Sequence, residues 1–320
     1  MKERIRLYLG IDGGGTKTAV TIITDTRAVV GEGTGGPGNI AVTAEPVLRR
    51  SVLEGVSQAC AIAGLEIADT HFAGVCAAMA GYSDEERRQR FFELLKGLVK
   101  ADRYRIEPDY VAAYWGATLG EPGIVVIAGT GAVAYGRNAE GESYREDGLG
   151  YLLGDRGSGF NLGLHALRYT LDRMKEGNVD RLAAAVLEFT GAQSQSGIVR
   201  WLYGDFVPAK VAELAPVVGA LADEGDRAAR DLVAKMARCL RHSVRQVRHK
   251  LWLPRDVPVY MLGGLWNIGS FFRSEFIQPT WRVEGEGDDL SGGRFLIGTP
   301  HADAAYGAAL LALEASLTGS

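Results

Sequence analysis

The chain has 320 residues, which predicts about two domains, and its 47% hydrophobic and 23% charged residues are typical of a globular protein. A formal net charge of −4 argues against nucleic acid or an anionic membrane as a partner. Only a short apolar run precedes Asp12, so neither a secretory signal nor a membrane span is expected.

The first half of the chain opens with three predicted strands. Alternating apolar residues predict a strand at 5–11, a β-branched run predicts a second at 18–24, and a third follows at 27–33. A helix is then predicted at 45–63 and a strand at 72–78. They are followed by a helix with Ser83 as its N-cap, a strand at 103–107 and a helix that begins at Asp109.

The second half repeats this plan. Three strands are followed by a glycine-punctuated connection that leads into helices. In chain order the elements are predicted at 124–128, 132–136, 142–145, 159–171, 180–222, 226–251, 257–262, 295–298 and 301–317. A turn-rich segment near residue 119 precedes the second set of strands, so the domain boundary is predicted there.

The first glycine turn carries the strongest chemical signal. Gly13, Gly14 and Gly15 allow the backbone N–H groups to approach an anion, and Thr16 and Lys17 add a hydroxyl and an ammonium group. Because the turn leads into a strand and not into a helix, it matches neither a P-loop nor a dinucleotide fingerprint. Asp12, at the end of the preceding strand, is predicted to hold a hydrated Mg²⁺ that bridges two phosphates.

A second copy of this element begins 116 residues later. Its turn consists of Gly129, Thr130 and Gly131, and Ala132 opens the next strand. Ala128 stands where the first copy has its aspartate, so only one copy keeps the metal carboxylate. Two such turns, one in each domain, are predicted to hold a phosphate chain from both sides of a cleft.

Three further segments have both a structural and a functional interpretation. Asp109 starts a helix, where an acidic residue is commonly an N-cap or a first-turn acid. Asp155 lies in a glycine-rich loop before a helix, where capping is again the usual role. Gly263 and Gly264, with Asn267, follow a strand and open a helix, which suits either a plain helix entry or the approach of a nucleotide base or ribose.

Taken together, these motifs resemble the N-acetylglucosamine kinase family, in the BadF/BcrA-type ATPase group of the actin, hexokinase and heat-shock chaperone superfamily. The two phosphate motifs match residues 9–18 and 126–132, and the adenosine motif matches residues 259–267. The sugar loop matches residues 37–39, the start of the catalytic helix residues 109–113, and the sugar-pocket loop residues 147–159. The resemblance implies an α/β fold of two ribonuclease H-like domains, each with a mixed five-stranded sheet flanked by helices, and an active-site cleft between them. The domains are expected at 1–118, with the helix at 303–318 packing back on it, and at 119–302.

The resemblance also implies an activity, an ATP- and Mg²⁺-dependent kinase that phosphorylates the 6-hydroxyl of N-acetylglucosamine, glucosamine or N-acetylmuramic acid. Asp109 is then the catalytic base. The residues implied to orient the sugar are Asn39, Thr130, Gly148, Gly150 and Asp155. A homodimer is expected, as in relatives. Two other classes stay open, an ATPase that activates a partner enzyme and a non-catalytic sugar sensor.

Two positions and the cysteines depart from the family pattern. Leu149 replaces a frequent Trp and Arg156 a frequent Glu beside the expected sugar, which affects the choice of sugar and not the phosphoryl transfer. Activators in this group hold an iron–sulfur cluster on cysteines in a glycine-cysteine loop. Cys60, Cys76 and Cys239 lie in apolar contexts without such a loop, which favours reduced thiols in a cytoplasmic protein.

Overall fold

A computed structural model describes residues 5–278 and 293–318. The chain forms two compact units, each with its own sheet. Unit 1 runs to Glu121 and includes the segment from Thr299 onward, and unit 2 is Pro122–Gly298.

The sheet of unit 1 has five strands in the order β3-β2-β1-β5-β7. Its first three strands are antiparallel neighbours, and the last three are parallel. The five strands are β1 (Leu7–Gly13), β2 (Thr18–Thr24), β3 (Val29–Gly35), β5 (Gly74–Met79) and β7 (Tyr104–Pro108), and a separate two-stranded sheet pairs β4 (His71–Phe72) with β6 (Lys100–Ala101). The helices of this unit are α1 (Glu45–Ile62), α2 (Glu85–Leu98), α3 (Asp109–Thr118) and α11 (Ala304–Thr318).

Unit 2 repeats the arrangement, with the strand order β10-β9-β8-β11-β12. Here too an antiparallel hairpin is extended on one side by parallel strands. The strands are β8 (Gly123–Ala128), β9 (Ala132–Arg137), β10 (Ser143–Asp147), β11 (Val259–Leu262) and β12 (Ile297–Gly298). The helices are α4 (Gly159–Lys175), α5 (Arg181–Thr190), α6 (Gln195–Gly204), α7 (Pro208–Ala212), α8 (Ala215–Asp223), α9 (Arg227–Lys250) and α10 (Ser270–Ile277), with a short 3₁₀ helix at Gly264–Asn267.

These two sheets confirm the predicted α/β class with two mixed five-stranded sheets flanked by helices. Strand β1 is buried along most of its length because the sheet is covered on both faces, and this explains its nearly continuous apolar run. In the described parts of the chain, no helix is long and apolar enough to span a bilayer.

The structure corrects two predicted helix starts. Helix α2 begins one residue later than expected, because the carboxylate of Asp84, and not the hydroxyl of Ser83, accepts the N–H of Arg87 at 3.0 Å. The last helix begins at Ala304 and not at residue 301. The Asp303 carboxylate accepts the N–H of Tyr306 at 2.9 Å and so satisfies one of the unpaired donors in its first turn.

Helix α11 packs backbone to backbone against β1 and α3. A Cβ atom placed on Gly10 of β1 would lie 2.1 Å from the carbonyl oxygen of Ala305. One placed on Gly307 of α11 would lie 2.0 Å from the carbonyl oxygen of Ala112 in α3. Glycine is required at both positions because any side chain would separate the elements, so α11 fixes β1 relative to α3.

We therefore expect Gly307→Ala to destabilise unit 1 by about 1–3 kcal/mol, the usual cost of overpacking a dense interior. The matched control is Gly97→Ala. It makes the same change in helix α2, where a Cβ would meet nothing within 4 Å. This control should leave the free energy of unfolding unchanged or raise it by up to about 1 kcal/mol, because alanine favours the helix. Urea titration of both variants measures the difference, and equal values for the two would contradict the packing argument.

Candidate functional site

The first glycine turn lies at the carboxyl end of β1. Asp12 is the penultimate residue of this strand, opposite Ala19 on β2 and Ala78 on β5. Gly13 leaves no room for a side chain, since a Cβ there would lie 2.4 Å from the Met79 side chain. Asp12 therefore lies at the carboxyl edge of the sheet.

The turn that follows is narrow and open to ligands. The N–H of Gly14 donates to the carbonyl of Lys17 at 2.9 Å, and the carbonyl of Gly14 accepts the N–H of Gly38 at 2.8 Å. Gly15, Thr16 and Lys17 are exposed. This geometry agrees with the predicted hairpin and leaves the tip of the turn accessible to an anion.

The loop that carries Asn39 packs directly on this turn. A Cβ placed on Gly38 would lie 2.5 Å from the Thr18 hydroxyl. The side-chain carbonyl of Asn39 accepts the N–H of Ala41 at 2.8 Å. This bond fixes the orientation of the amide and leaves its N–H₂ group as a donor for other partners.

Asp109 is the first residue of α3, directly after the last strand of the parallel set. Pro108, which ends β7, pairs with Met79 on β5, and Met79 pairs in turn with Gly13 on β1. Asp12 and Asp109 thus share the carboxyl edge of one sheet, two strand spacings or roughly 10 Å apart. In open α/β sheets ligands bind at this edge.

Of the two structural roles expected for Asp109, the structure shows the first-turn acid and not the N-cap. The N-cap position is held by Pro108, and the Asp109 carboxylate accepts the N–H of the adjacent Tyr110 at 2.9 Å. Burial raises the pKa of Asp109 above its ordinary value, although backbone hydrogen bonds oppose the shift. A carboxylate with a raised pKa is better matched to general-base catalysis near neutral pH than an ordinary surface aspartate.

The pKa of Asp12 is raised as well. Burial is the largest cause, the negative charges of Asp109 and Asp303 add to it, Lys17 opposes it, and the pKa rises to about 7. The proximity of Asp303 to Asp12 is a tertiary feature, because the two residues lie far apart in the chain.

The second glycine turn joins β8 to β9 and is tied to the start of α4. The backbone carbonyl of Gly129 accepts the N–H of Gly159 at 2.7 Å, and the backbone carbonyl of Thr130 accepts the N–H of Phe160 at 3.3 Å. Ala132 pairs with Ala128 across the hairpin. The turn is therefore held rigidly, while the Thr130 side chain is exposed.

Asp155 reaches this second turn from the loop that contains Gly148 and Gly150. Its carboxylate accepts the N–H groups of Ala132 and Gly150, and a Cβ placed on Gly131 would lie 2.7 Å from it. Burial is the main cause that raises the pKa of this carboxyl. The side chain is not a helix cap, because Ser158 caps α4.

The third predicted element of unit 2 follows β11, which runs parallel to β8. Gly263 has a φ of 96°, and a Cβ there would lie 2.3 Å from the carbonyl of Ala128. Gly264 and Asn267 are exposed in the short 3₁₀ helix. The structure thus gathers the unit 2 candidates at the carboxyl edge of their sheet, as it does for the candidates of unit 1.

A divalent cation fits the acidic end of β1. Among residues 5–278 and 293–318, no group of three or more His, Cys, Asp or Glu side chains is arranged to hold a metal by itself. Asp12 nevertheless carries a charge that burial and two neighbouring carboxylates make unfavourable, and a cation would relieve this. One carboxylate plus water and phosphate oxygens is the kind of ligand set that Mg²⁺ prefers.

Comparison with known proteins identifies the family. Residues 9–281 match the BadF/BadG/BcrA/BcrD ATPase family, and the chain belongs to it. This confirms the family predicted from the sequence motifs and places the chain among proteins that use ATP.

Curated relatives in this group are sugar kinases. The chain is 29% identical to the N-acetylmuramic acid/N-acetylglucosamine kinase of Clostridium acetobutylicum, over 85% of this chain and 89% of that protein. It is 27% identical to the N-acetyl-D-glucosamine kinase of Dictyostelium discoideum, over 81% and 85%. These relatives are phosphotransferases with an alcohol acceptor, the class of enzyme that the sequence predicted.

A solved structure shows the same fold. A protein from Chromobacterium violaceum, provisionally assigned as an N-acetylglucosamine kinase, is 26% identical and superposes with a TM-score of 0.75. The match covers 97% of this chain and 99% of that one. The agreement therefore extends over both units.

The raised pKa of Asp12 generates a stability prediction. In the folded chain Asp12 keeps its proton up to about pH 7, whereas in the unfolded chain it loses it near pH 3.8. Between these values the folded state binds more protons, so the contribution of this group to stability decreases as the pH rises. Above pH 7 the folded state bears the full cost of a buried charge, which Asp12→Asn removes.

We expect Asp12→Asn to raise Tm above pH 7, with the gain shrinking as the pH falls toward 3.8. Thermal melts in EDTA without nucleotide measure this, and Asp25→Asn, at an exposed turn, is the control. A gain that is largest at low pH would show that the buried charge is not the cause.

Proposed function

We propose that this ATPase-family chain is an amino-sugar kinase. It transfers the γ-phosphoryl group of ATP to the 6-hydroxyl of N-acetylglucosamine or a close relative, glucosamine or N-acetylmuramic acid. The names of the relatives support the substrate class, and the resemblance of the motifs supports the 6-hydroxyl.

The observation that carries the proposal is the pair of carboxylates on one sheet edge. Asp12 and Asp109 lie roughly 10 Å apart across one intervening strand. The spacing suits two different tasks, one beside the phosphate chain and one beside the attacking hydroxyl. Lys17 follows Asp12 on the connecting turn and supplies a positive charge for the transferred phosphoryl group.

For the nucleotide, we assign the two glycine turns to the phosphate chain of ATP. Gly13, Gly14 and Gly15 let the phosphates approach the backbone of the first turn closely, and the segment from Gly129 to Ala132 does the same in the second turn. Asp12 would hold the Mg²⁺, which would supply positive charge against the phosphates. Gly263, Gly264 and Asn267 are assigned to the adenosine because their backbone is open at the end of β11.

For the sugar, we assign the side chains that the loops hold in fixed orientations. The Asn39 amide donates to a sugar hydroxyl, since its carbonyl is already used by Ala41. The Asp155 carboxylate accepts from a second hydroxyl, and the exposed Thr130 hydroxyl and the backbone of Gly148 and Gly150 complete the contacts. Such fixed donors and acceptors reduce the entropy lost on binding.

Phosphoryl transfer then needs little covalent chemistry from the protein. The sugar oxygen attacks the γ-phosphorus, a new O–P bond forms, and the bond to the leaving oxygen of ADP breaks with its electron pair. The hydroxyl proton passes to the Asp109 carboxylate. Water must be kept from the same position, because it is a competing acceptor of the phosphoryl group.

A sugar panel tests the class of activity. ADP release should be slow with ATP and Mg²⁺ alone and should rise strongly with N-acetylglucosamine, glucosamine or N-acetylmuramic acid, with N-acetylmannosamine and glucose as comparison sugars. Equal ADP release with and without sugars would favour an ATPase that acts on a partner protein. Sugar binding with no ADP release would favour a sensor, and either result would refute the kinase.

Asp109→Asn tests the base. We expect kcat to fall by roughly 10²–10⁴-fold, the usual contribution of a general base, with little change in the Kd for the sugar. Asp102→Asn, an exposed aspartate bonded to His71, is the control for a charge change in the same unit.

The pH profile gives a second readout for the same variant. Because burial raises the pKa of Asp109, the acidic limb of kcat in the wild type should lie above the ordinary aspartate range, when kcat is measured at saturating Mg²⁺ and ATP so that the bound cation keeps Asp12 ionised. This limb should be absent in Asp109→Asn. Turnover near the wild-type level in the variant would exclude Asp109 as the base.

A further inference from the structure

The loop that carries Asp155 is closed at its neck by another carboxylate. Asp147, the last residue of β10, has a side chain that is only 3% exposed. One of its oxygens accepts the N–H of Asp155 at 2.6 Å and the other accepts the N–H of Arg156 at 2.9 Å. The carboxylate therefore bridges the two ends of the loop, and both its oxygens are engaged with backbone.

The two aspartates at the ends of this loop, Asp147 and Asp155, also have an unusual backbone conformation. Asp147 has a φ of 68° and Asp155 a φ of 54°, in the left-handed region that residues with a Cβ rarely adopt. Asparagine and aspartate tolerate this region better than most residues, but it persists only where the surroundings impose it. The two hydrogen bonds that the Asp147 carboxylate accepts are such a constraint, because they fix the peptide groups on both sides of Asp155.

We call the two hydrogen bonds that the Asp147 carboxylate accepts from Asp155 and Arg156 the clamp, and there is no room beside it for a side chain at position 154. A Cβ placed on Gly154 would lie 2.2 Å from the Asp147 carboxylate, so the residue before Asp155 must be small for the clamp to form. Arg156 lies beside the same carboxylate, with its Nε atom 3.6 Å from it, and supplies an opposite charge. The negative charge of Asp147 is thus partly compensated at the same oxygen that accepts the Arg156 N–H.

The consequence concerns the direction of the Asp155 side chain. With its backbone fixed, the Asp155 carboxylate is aimed at the second glycine turn, where it accepts the N–H of Ala132 and lies close to Gly131. The side chain's own hydrogen bonds and the clamp on its backbone therefore act together on the direction of the carboxylate.

We propose that Asp147 is a positioning residue for sugar recognition, whose carboxylate locks the backbone of Asp155 so that the Asp155 side chain faces the bound sugar. The inference rests on the assignment of Asp155 to the sugar under the proposed function. Asp147 contacts no substrate itself. It holds the glycine-rich loop in one conformation, so that the Asp155 carboxylate is a fixed hydrogen-bond acceptor.

The test is a double-mutant cycle on Asp147 and Asp155. Asp147→Asn keeps the shape of the side chain but places an N–H₂ group against a backbone N–H donor, so only one of the two bonds survives. We expect the Kd for the preferred sugar of the panel, measured by calorimetry, to rise roughly tenfold or more, as expected when a bond to a charged group is lost. The KM for ATP should rise clearly less than the Kd for the sugar, since the clamp touches none of the residues assigned to adenosine and reaches the phosphate-binding turn only through Asp155.

The coupling distinguishes positioning from general damage. In an Asp155→Asn background, Asp147→Asn should weaken sugar binding little further, because the aimed group is already gone. Glu146→Gln, one residue earlier on β10, is the control and should leave the Kd unchanged. Gly154→Ala is the second variant: it displaces the carboxylate without removing its charge, and it should reproduce the loss of sugar affinity even if Asp147→Asn fails to fold.

Two results would overturn the inference in distinguishable ways. If Asp155→Asn leaves sugar affinity unchanged while the sugar is still phosphorylated, the assignment of Asp155 fails and the positioning role fails with it. If Asp155→Asn weakens binding, but the clamp variants affect sugar and ATP equally or add their full effect in the Asp155→Asn background, then Asp147 serves the fold alone.

Discussion

The close contact between helix α11, strand β1 and helix α3 is the constraint on which the chemistry of unit 1 depends. Glycines at positions 10, 116 and 307 allow backbone atoms of these elements to meet without intervening side chains. Asp12 follows Gly10 by two residues on β1, and Asp109 begins α3. Because the interior is close-packed and resists deformation, the distance between these two carboxylates is set by the backbone and not by flexible side chains.

Burial makes the charged forms of both acids unfavourable in the free protein. The pKa of Asp12 rises to about 7 because water is excluded and because Asp109 and Asp303 add negative charge. Positive charge brought in with the substrates removes part of this cost, so binding energy and electrostatic relief act in the same direction. If the proposed roles hold, the acids contribute to function at some cost to the stability of the free protein.

The two units use one hairpin design for different purposes. In unit 1 the glycine turn follows an aspartate, and in unit 2 the matching position is Ala128. Unit 2 instead brings an acid to its turn from a distant loop, and Asp155 holds that place through the carboxylate clamp of Asp147. Both units therefore have a glycine turn at the carboxyl edge of their sheet, while the acid beside the turn comes from the strand in unit 1 and from a loop in unit 2.

The sequence by itself determined the strand–turn–strand elements, the helix at Asp109 and the α/β class, because strand and helix periodicity, β-branched runs and glycine turns are local signals. It also identified the motif residues, since their chemistry is written in adjacent positions. Only the tertiary structure decided that Asp303 lies near Asp12, that burial raises the pKa of both candidate catalytic acids, and that Asp147 holds the loop of Asp155. These features arise from contacts between residues far apart in the chain, and no local pattern encodes how closely two backbones approach or how much water remains around a carboxylate.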